Sequence, residues 1–305
     1  MERGDARAGP ASPGLRIPES FLAAPRWRRD GARWLKSLPQ RAAAQCARWH
    51  LDITGDVAHG SHAIVVPVCR AGAELVLRLT PPGPEVAEQV AALRFWAGRG
   101  TVQLVDADIE AGAMLLERLA VGTSLRDVPV AEAMPILGRM VRRLAIPAPP
   151  DVPSTADAVA HRLTTLEPEW ARRGRPFDRA ILGQALAAGS RLSRGGPDLA
   201  VNGDLHSAQV LRGTREPWLT VDPVLMRGDI AYDLARVLWT RVDEMPDAAR
   251  IVGHLQDVAD AAGIDRDHAR DWVLLRAVDY WLWGLSAGFT EDPLRCRRLA
   301  LALAG

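Results

Sequence analysis

Apolar residues recur along this chain with two different spacings, and the switch between them organises it. Over residues 27–49 the positions Trp34, Leu35, Leu38, Ala42, Cys46 and Trp49 fall three or four apart, the spacing of one helix face. This predicts helices broken at Pro39, with their tryptophans in the core. Residues 51–53, 63–68 and 74–79 are instead short β-branched runs separated by Gly55-Asp56, His59-Gly60-Ser61 and Ala71-Gly72, the pattern of a small antiparallel sheet. A helix carrying Glu85 and Glu88 follows, then strands over 101–106 and 113–116.

From about Ala131 the helical spacing takes over, through Ile136, Leu137, Met140 and Leu144. A stiff proline-rich connection spans 147–153, and two further helices cover 155–172 and 177–194, the second closed by Gly195-Gly196-Pro197. Strand-like runs return at Leu199-Ala200-Val201 and Trp218-Leu219-Val221, before helices over 231–239, 247–262, 265–286 and 294–304. The pattern is α+β: a small sheet, then a mainly helical half. Residues 1–18, rich in Gly, Pro, Arg and Ala, read as a disordered leader.

A 48% hydrophobic chain of 305 residues has ample material for a packed core. The net charge of +1 gives no support to nucleic-acid or anionic-membrane binding, so the expected partner is a small molecule. Cys46, Cys69 and Cys296 lack the spacing of a zinc site or disulfide framework, and no export signal or membrane span is legible; a reducing cytoplasm fits this best.

Candidate chemistry concentrates in LAVNGDLHSAQVL (199–211) and WLTVDPVLMRGDIAYD (218–233). Each apolar run delivers a carboxylate at a strand exit, Asp204 in Gly-Asp-x-His and Asp222 in Val-Asp-Pro. Phosphoryl transfer from a nucleotide needs one carboxylate to accept the proton of the attacking group and another to hold Mg²⁺, and Asp204 and Asp222 are the candidates in that order. Asp229 has N-cap chemistry for the helix that follows, and it and Asp233 read as structural.

Arg78 is the one charge in LVLRL; it either points out of the core or meets an anion, with Glu85 or Glu88 able to brace it over a phosphate. The turn His59-Gly60-Ser61-His62 either covers nucleotide phosphates or closes an ordinary hairpin. The segment Glu117-Arg118-Leu119 is a linker whose backbone groups could pair with a nucleotide base. Late in the chain Arg276 and Asp279, three apart, pair with each other, or else Asp279, Tyr280 and Trp283 line a pocket for a cationic or sugar-like substrate.

In order and spacing, IVVPVCRAGAELVLRL, GRGTVQLVDAD, GAMLLERLAVGTSL, GDLHSAQVL, REPWLTVDP and GDIAYDLA resemble the aminoglycoside phosphotransferases, and among them the streptomycin 6-kinase and hydroxyurea phosphotransferase branch. The resemblance implies a two-lobed protein-kinase-like fold, with a nucleotide-binding N-lobe over 19–119 and a helical, catalytic and substrate-binding C-lobe over 120–305. It makes Asp204 the catalytic base and Asp222 the main Mg²⁺ ligand. It puts Arg78 where the family has a phosphate-binding lysine, Gln209 where it has a metal-binding asparagine and Asn202 where it often has histidine. Arginine for lysine keeps the charge on a planar fork, and glutamine for asparagine keeps the carbonyl on a longer arm.

The expected activity is that of an ATP-dependent small-molecule kinase. ATP and Mg²⁺ would be held by Arg78, Glu88, Glu117, Leu119, Gln209 and Asp222, and the acceptor by Asp204, Asp279, Tyr280 and Trp283. The resemblance implies streptomycin or a related cationic aminocyclitol glycoside as acceptor, with antibiotic inactivation as the outcome. Asp243, Glu244 and Asp279 are then candidates for an acidic pocket mouth. The alternatives are hydroxyurea or a secondary-metabolite intermediate as acceptor, or a pseudokinase that binds without transferring.

Overall fold

A computed structural model describes residues 15–24, 27, 31–120, 122–193 and 196–304. Most of the expected leader, and Gly195 of the expected helix closure, lie outside the described residues. The chain divides into two compact units, one reaching Val90 and including Gln103–Arg118, the other made of Ala91–Val102 and the chain from Leu119 on.

The first unit contains α1 (Glu19–Leu22), α2 (Ala32–Trp49), β1 (Asp52–Ile53), β2 (Ala58–His59), β3 (Ile64–Arg70), β4 (Ala73–Leu79), β5 (Leu104–Asp108) and β6 (Ala113–Glu117). Its strands form one antiparallel sheet in the order β1-β3-β4-β6-β5, with β2 paired to β3. Because side chains alternate across a strand, Ile64, Val66 and Val68 of β3 and Leu75, Leu77 and Leu79 of β4 fall on one face, where they are buried with Trp34, Leu38, Ala42 and Cys46 of α2. Leu15 and Ile17, placed by sequence in the leader, pack against this core.

Pro39 does not break α2, which runs through it as one helix. A proline inside a helix removes one amide donor and crowds the preceding turn, but here a single stripe of buried residues on both sides of Pro39 holds the two halves on one face of the sheet. The strand expected from Thr101 begins only at Leu104. Thr101 and Val102 belong to the second unit, where Thr101 bridges to Thr220 and the Val102 N–H donates to the Thr220 carbonyl at 2.8 Å.

α3 (Pro84–Trp96) begins in the first unit and ends in the second. The second unit continues with α4 (Val130–Leu144), α5 (Thr155–Arg172), α6 (Arg179–Leu192), β7 (Leu199–Asn202), β8 (Val210–Arg212), β9 (Trp218–Thr220) and β10 (Leu225–Gly228). It closes with α7 (Leu234–Trp239), α8 (Ala248–Ala262), α9 (Arg266–Ala287) and α10 (Glu291–Ala304). α9 supplies much of the core through Trp272, Val273, Leu275, Val278, Trp281 and Leu282. Among the described residues no helix is long and apolar enough to cross a membrane.

The strands of this unit make two separate antiparallel pairs, β7 with β10 and β8 with β9. At the end of β10, Gly228 has φ +130°, and a Cβ there would sit 2.1 Å from Thr155 Oγ1. The same Thr155 hydroxyl accepts the Asp229 N–H at 3.1 Å. Gly228→Ala is therefore expected to push Thr155 away, lose that bond and strain the backbone, costing about 2 kcal/mol in a urea melt. A change within a few tenths of a kcal/mol would mean that Thr155 moves aside freely.

Candidate active site

β7 ends at Asn202, and the chain turns through Gly203 and Asp204 into a single 3-10 turn, Ser207–Gln209, before β8. β9 ends at Thr220, and the connection to β10 carries Asp222. Asn202, fully buried, ties these segments together. Its Oδ1 accepts the Val224 N–H at 3.0 Å and the Asp204 N–H at 3.4 Å. The Val221 N–H donates to the Gln209 carbonyl and the Gly203 N–H to the Val224 carbonyl, both at 2.9 Å. The residue that departs from the expected histidine is thus the link between the two carboxylate-bearing loops.

Asp204 is partly buried, and both its oxygens are engaged. Gln209 Nε2 donates to Oδ2 at 2.9 Å, and Arg236 of α7 forms an ion pair with Oδ1 through Nε. Burial pushes the Asp204 carboxyl up from the ordinary carboxylate range, with the Asp222 charge adding to the rise and Arg236 and Gln209 opposing it. His206 is pushed down to about 4, by burial first and then by the Arg236 cation, so it is neutral at physiological pH. Asp233, buried beneath the loop, accepts the Asn202 backbone N–H; burial raises its carboxyl well above the usual range against the pull of Arg276.

The amide of Gln209 is oriented by its bond to Asp204, which leaves Oε1 buried and accepting no hydrogen bond from the described residues. A carboxylate and an amide carbonyl are hard oxygen donors, the kind Mg²⁺ takes when phosphates complete its shell. Among the described residues no group of three or more His, Cys, Asp or Glu gathers as a metal cage.

Beneath the turn, the buried Arg241 donates to the Leu125 and Val128 carbonyls at 2.7 and 2.8 Å and to Ser207 Oγ at 3.3 Å, pinning the segment that presents Gln209. Sequence reasoning missed both Arg236 and Arg241. The available signal was a lone arginine at each end of an otherwise apolar segment, LARVLWTRV.

Asp229 caps the turn before α7 by accepting the Ala231 N–H at 3.0 Å. Its Oδ2 also accepts from Trp272 Nε1 at 2.8 Å and meets His268 Nε2. The hydrogen bond to Asp229 raises the His268 pKa, and the Asp229 carboxyl is held below its ordinary value despite burial, by His268, Ala231 and Trp272 together. The Asp229 contribution is lost as pH falls through its lowered pKa. The His268 contribution is full below about 6.5 and lost as pH rises through its raised value. His268→Gln is accordingly expected to lose more stability at pH 6 than at pH 9; equal losses would show that the ring's charge adds nothing.

The late acidic candidates are all paired. Asp279 pairs with Arg276, as expected from their spacing, at 4.0 Å, and more closely with Arg162 Nε at 2.7 Å, a partner the spacing did not reveal. Arg276 also stacks over Tyr232, its Cζ 3.8 Å from the ring centroid. Asp243 pairs with Arg295 at 2.6 Å, and Glu244 with Arg241. Tyr280 lies between the rings of Trp239 and Trp283, at 4.4 and 4.8 Å, and Trp283 is 45% exposed beside an exposed Phe289.

In the first unit, Arg78 is half-buried on β4, in register with Val65 and Met114, on the sheet face opposite α2. Glu85 and Glu88 are exposed near the start of α3. Glu117 ends β6, its carboxylate accepting the Gln103 N–H at 2.8 Å. In the second unit Leu119 is buried. The His59-Gly60-Ser61-His62 turn joins paired β2 and β3, with the Gly60 N–H donating to the Ala63 carbonyl at 2.9 Å.

An antiparallel sheet preceding a helical unit with two carboxylate-bearing loops is the arrangement of the protein-kinase-like phosphotransferases. Solved structures agree on the fold. Choline kinase LicA from Streptococcus pneumoniae superposes with a TM-score of 0.59 at 12% identity, over 88% of this chain and 99% of that one. The aminoglycoside phosphotransferase APH(4)-Ia superposes at 0.58 and 16%, over 87% and 98%.

Residues 48–288 match the aminoglycoside/hydroxyurea antibiotic resistance kinases. The chain is 35% identical to a streptomycin 6-kinase of Streptomyces griseus over 90% of its length and 92% of that protein. It is 33% identical to a hydroxyurea phosphotransferase of Kitasatospora aureofaciens, over 90% of its length and 81% of that one. The chain belongs to the aminoglycoside/hydroxyurea antibiotic resistance kinase family. It is a small-molecule kinase, a phosphotransferase with an alcohol group as acceptor.

Proposed function

We propose that this enzyme transfers the γ-phosphoryl group of ATP to a hydroxyl of streptomycin or a related aminocyclitol glycoside, and so inactivates the antibiotic. The observation that carries the reading is Asp204 held from both sides, by Gln209 and Arg236, within range of the charge of Asp222. A carboxylate so fixed can accept the acceptor's hydroxyl proton and aim its oxygen at phosphorus. Asp222 and the unpaired Gln209 Oε1 would hold Mg²⁺, which when bound neutralises charge on the phosphates. Arg78, with Glu88 or Glu85 beside it, would contact the phosphates, and the backbone of 117–119 would seat the base. Trp283, 45% exposed, would offer an aromatic face to the acceptor, with Tyr280 stacked behind it. Asp279, engaged by Arg162, is available to it only at the expense of that pair.

The relatives named above act, by their names, on streptomycin and on hydroxyurea, so both belong in the test. The purified enzyme is incubated with Mg-ATP and each acceptor, and products are read by mass spectrometry. A phosphorylated streptomycin is expected. Phosphorylated hydroxyurea with unchanged streptomycin would reassign the acceptor, and no product from any hydroxylated acceptor would overturn the reading.

A further inference from the structure

Arg236 occupies an unusual place for a residue of a short, otherwise apolar helix. Its Nε pairs with Asp204 Oδ1. Its Cζ lies 5.6 Å from the Trp239 ring centroid, and the guanidinium charge acts on the neighbouring Tyr280 hydroxyl, opposing the rise that burial gives its pKa. Tyr280 is in turn fixed by stacking on Trp239, with an interplanar angle of 19°. The guanidinium is therefore held on three sides, by an aromatic face, a phenol and the carboxylate, while its side chain is only 21% exposed.

An ionised carboxylate has about four lone-pair sites. Arg236 and Gln209 engage one oxygen each and leave room for a further donor, such as a hydroxyl, to approach the same carboxylate. The Gln209 amide at Oδ2 and the fixed guanidinium charge at Oδ1 together bias the rotation of the carboxylate about its Cβ–Cγ bond.

We propose that Arg236, held by Tyr280 and Trp239, is a positioning residue for phosphoryl transfer, aiming Asp204 at the acceptor hydroxyl. The inference rests on Asp204 as the base. Its observable consequence is a loss in turnover with nucleotide binding intact, since Arg236 touches the base and the aromatic stack.

The test compares Arg236→Met, Arg236→Lys and Tyr280→Phe with Asp204→Ala. ADP release from Mg-ATP is followed with streptomycin, with hydroxyurea and with neither, so that water reports as the acceptor when no added molecule does. Arg236→Met is expected to lower kcat about 10²-fold, the size of a misaimed catalytic group, with the KM for ATP within about twofold of the parent. Guanidinium ion added at millimolar concentration restores part of that turnover, and Arg236→Lys restores less than the parent rate because it lacks the fork. Tyr280→Phe keeps the stacked ring and loses about fivefold in kcat.

Full turnover in Arg236→Met with only a lower melting temperature would overturn the proposal, as would full turnover in Tyr280→Phe should the methionine variant not fold. Activity retained in Asp204→Ala would instead remove the base assignment itself, and with it this inference.

Discussion

Asp204→Asn is expected to reduce phosphoryl transfer about 10³-fold while the protein stays folded. The substitution keeps the size of the side chain but removes the acceptor for the hydroxyl proton, and general-base assistance of this kind is worth about 10² to 10⁴ in rate. Stability changes little in comparison, because two effects oppose each other. The partly buried Asp204 carboxylate no longer needs desolvation, and Arg236 loses its counter-charge while keeping the Trp239 face and the Tyr280 hydroxyl. Product formation by mass spectrometry, with a thermal melt on the same sample, separates the two. A variant that retained a tenth or more of the parent turnover would show that the acceptor is deprotonated elsewhere.

The largest expected loss of stability lies away from the reacting groups. Arg162 of α5 donates to Glu169 at 2.8 and 2.9 Å and to Thr165 Oγ1 at 2.8 Å, and pairs with Asp279 of α9 at 2.7 Å. Arg162 and Asp279 are each 17% exposed. Arg162→Met keeps the apolar stem but leaves the poorly hydrated Asp279 carboxylate with only the more distant Arg276 and strips Glu169 of its partner, which is expected to cost about 3 kcal/mol in a urea melt. Adding Asp279→Asn in that background should return about 1 kcal/mol, since it removes one of the stranded charges. A change in the KM for the acceptor without a change in stability would instead free Asp279 for the substrate.

Much of this was legible in the letters. Short apolar, largely β-branched runs such as IVVPV and LVLRL, bounded by turn residues, gave the sheet, and the Gly-Asp-x-His and Val-Asp-Pro patterns gave the loops with Asp204 and Asp222, because strand exits and tight turns are local chemistry. β10 was not read as a strand: LMRG has no alternation, and only its register against Asn202 and Leu199 makes it one. Pro39 misled in the other direction, since a local breaker was outvoted by the buried stripe around it. Arg236 was invisible for a different reason. It reaches Asp204 from 32 residues away in sequence, and its side chain is specified by the packing of α7 and α9 rather than by a local motif. Asp279 pairs with α5 for the same reason.

The connection carrying Asp222 has a length that cannot be negotiated. It is bonded to Gln209 at its first residue, Val221, and to Gly203 and Asn202 at its last, Val224, and it then enters a strand whose register is fixed residue by residue against β7. One extra residue there would slide Leu225 past Asn202 and turn Met226 and Arg227 to opposite faces, so the carboxylate and the strand beneath it would be lost together. A library of single-residue insertions along the chain should therefore show a gap at 221–224, and diversification of this scaffold is confined there to exchanging side chains.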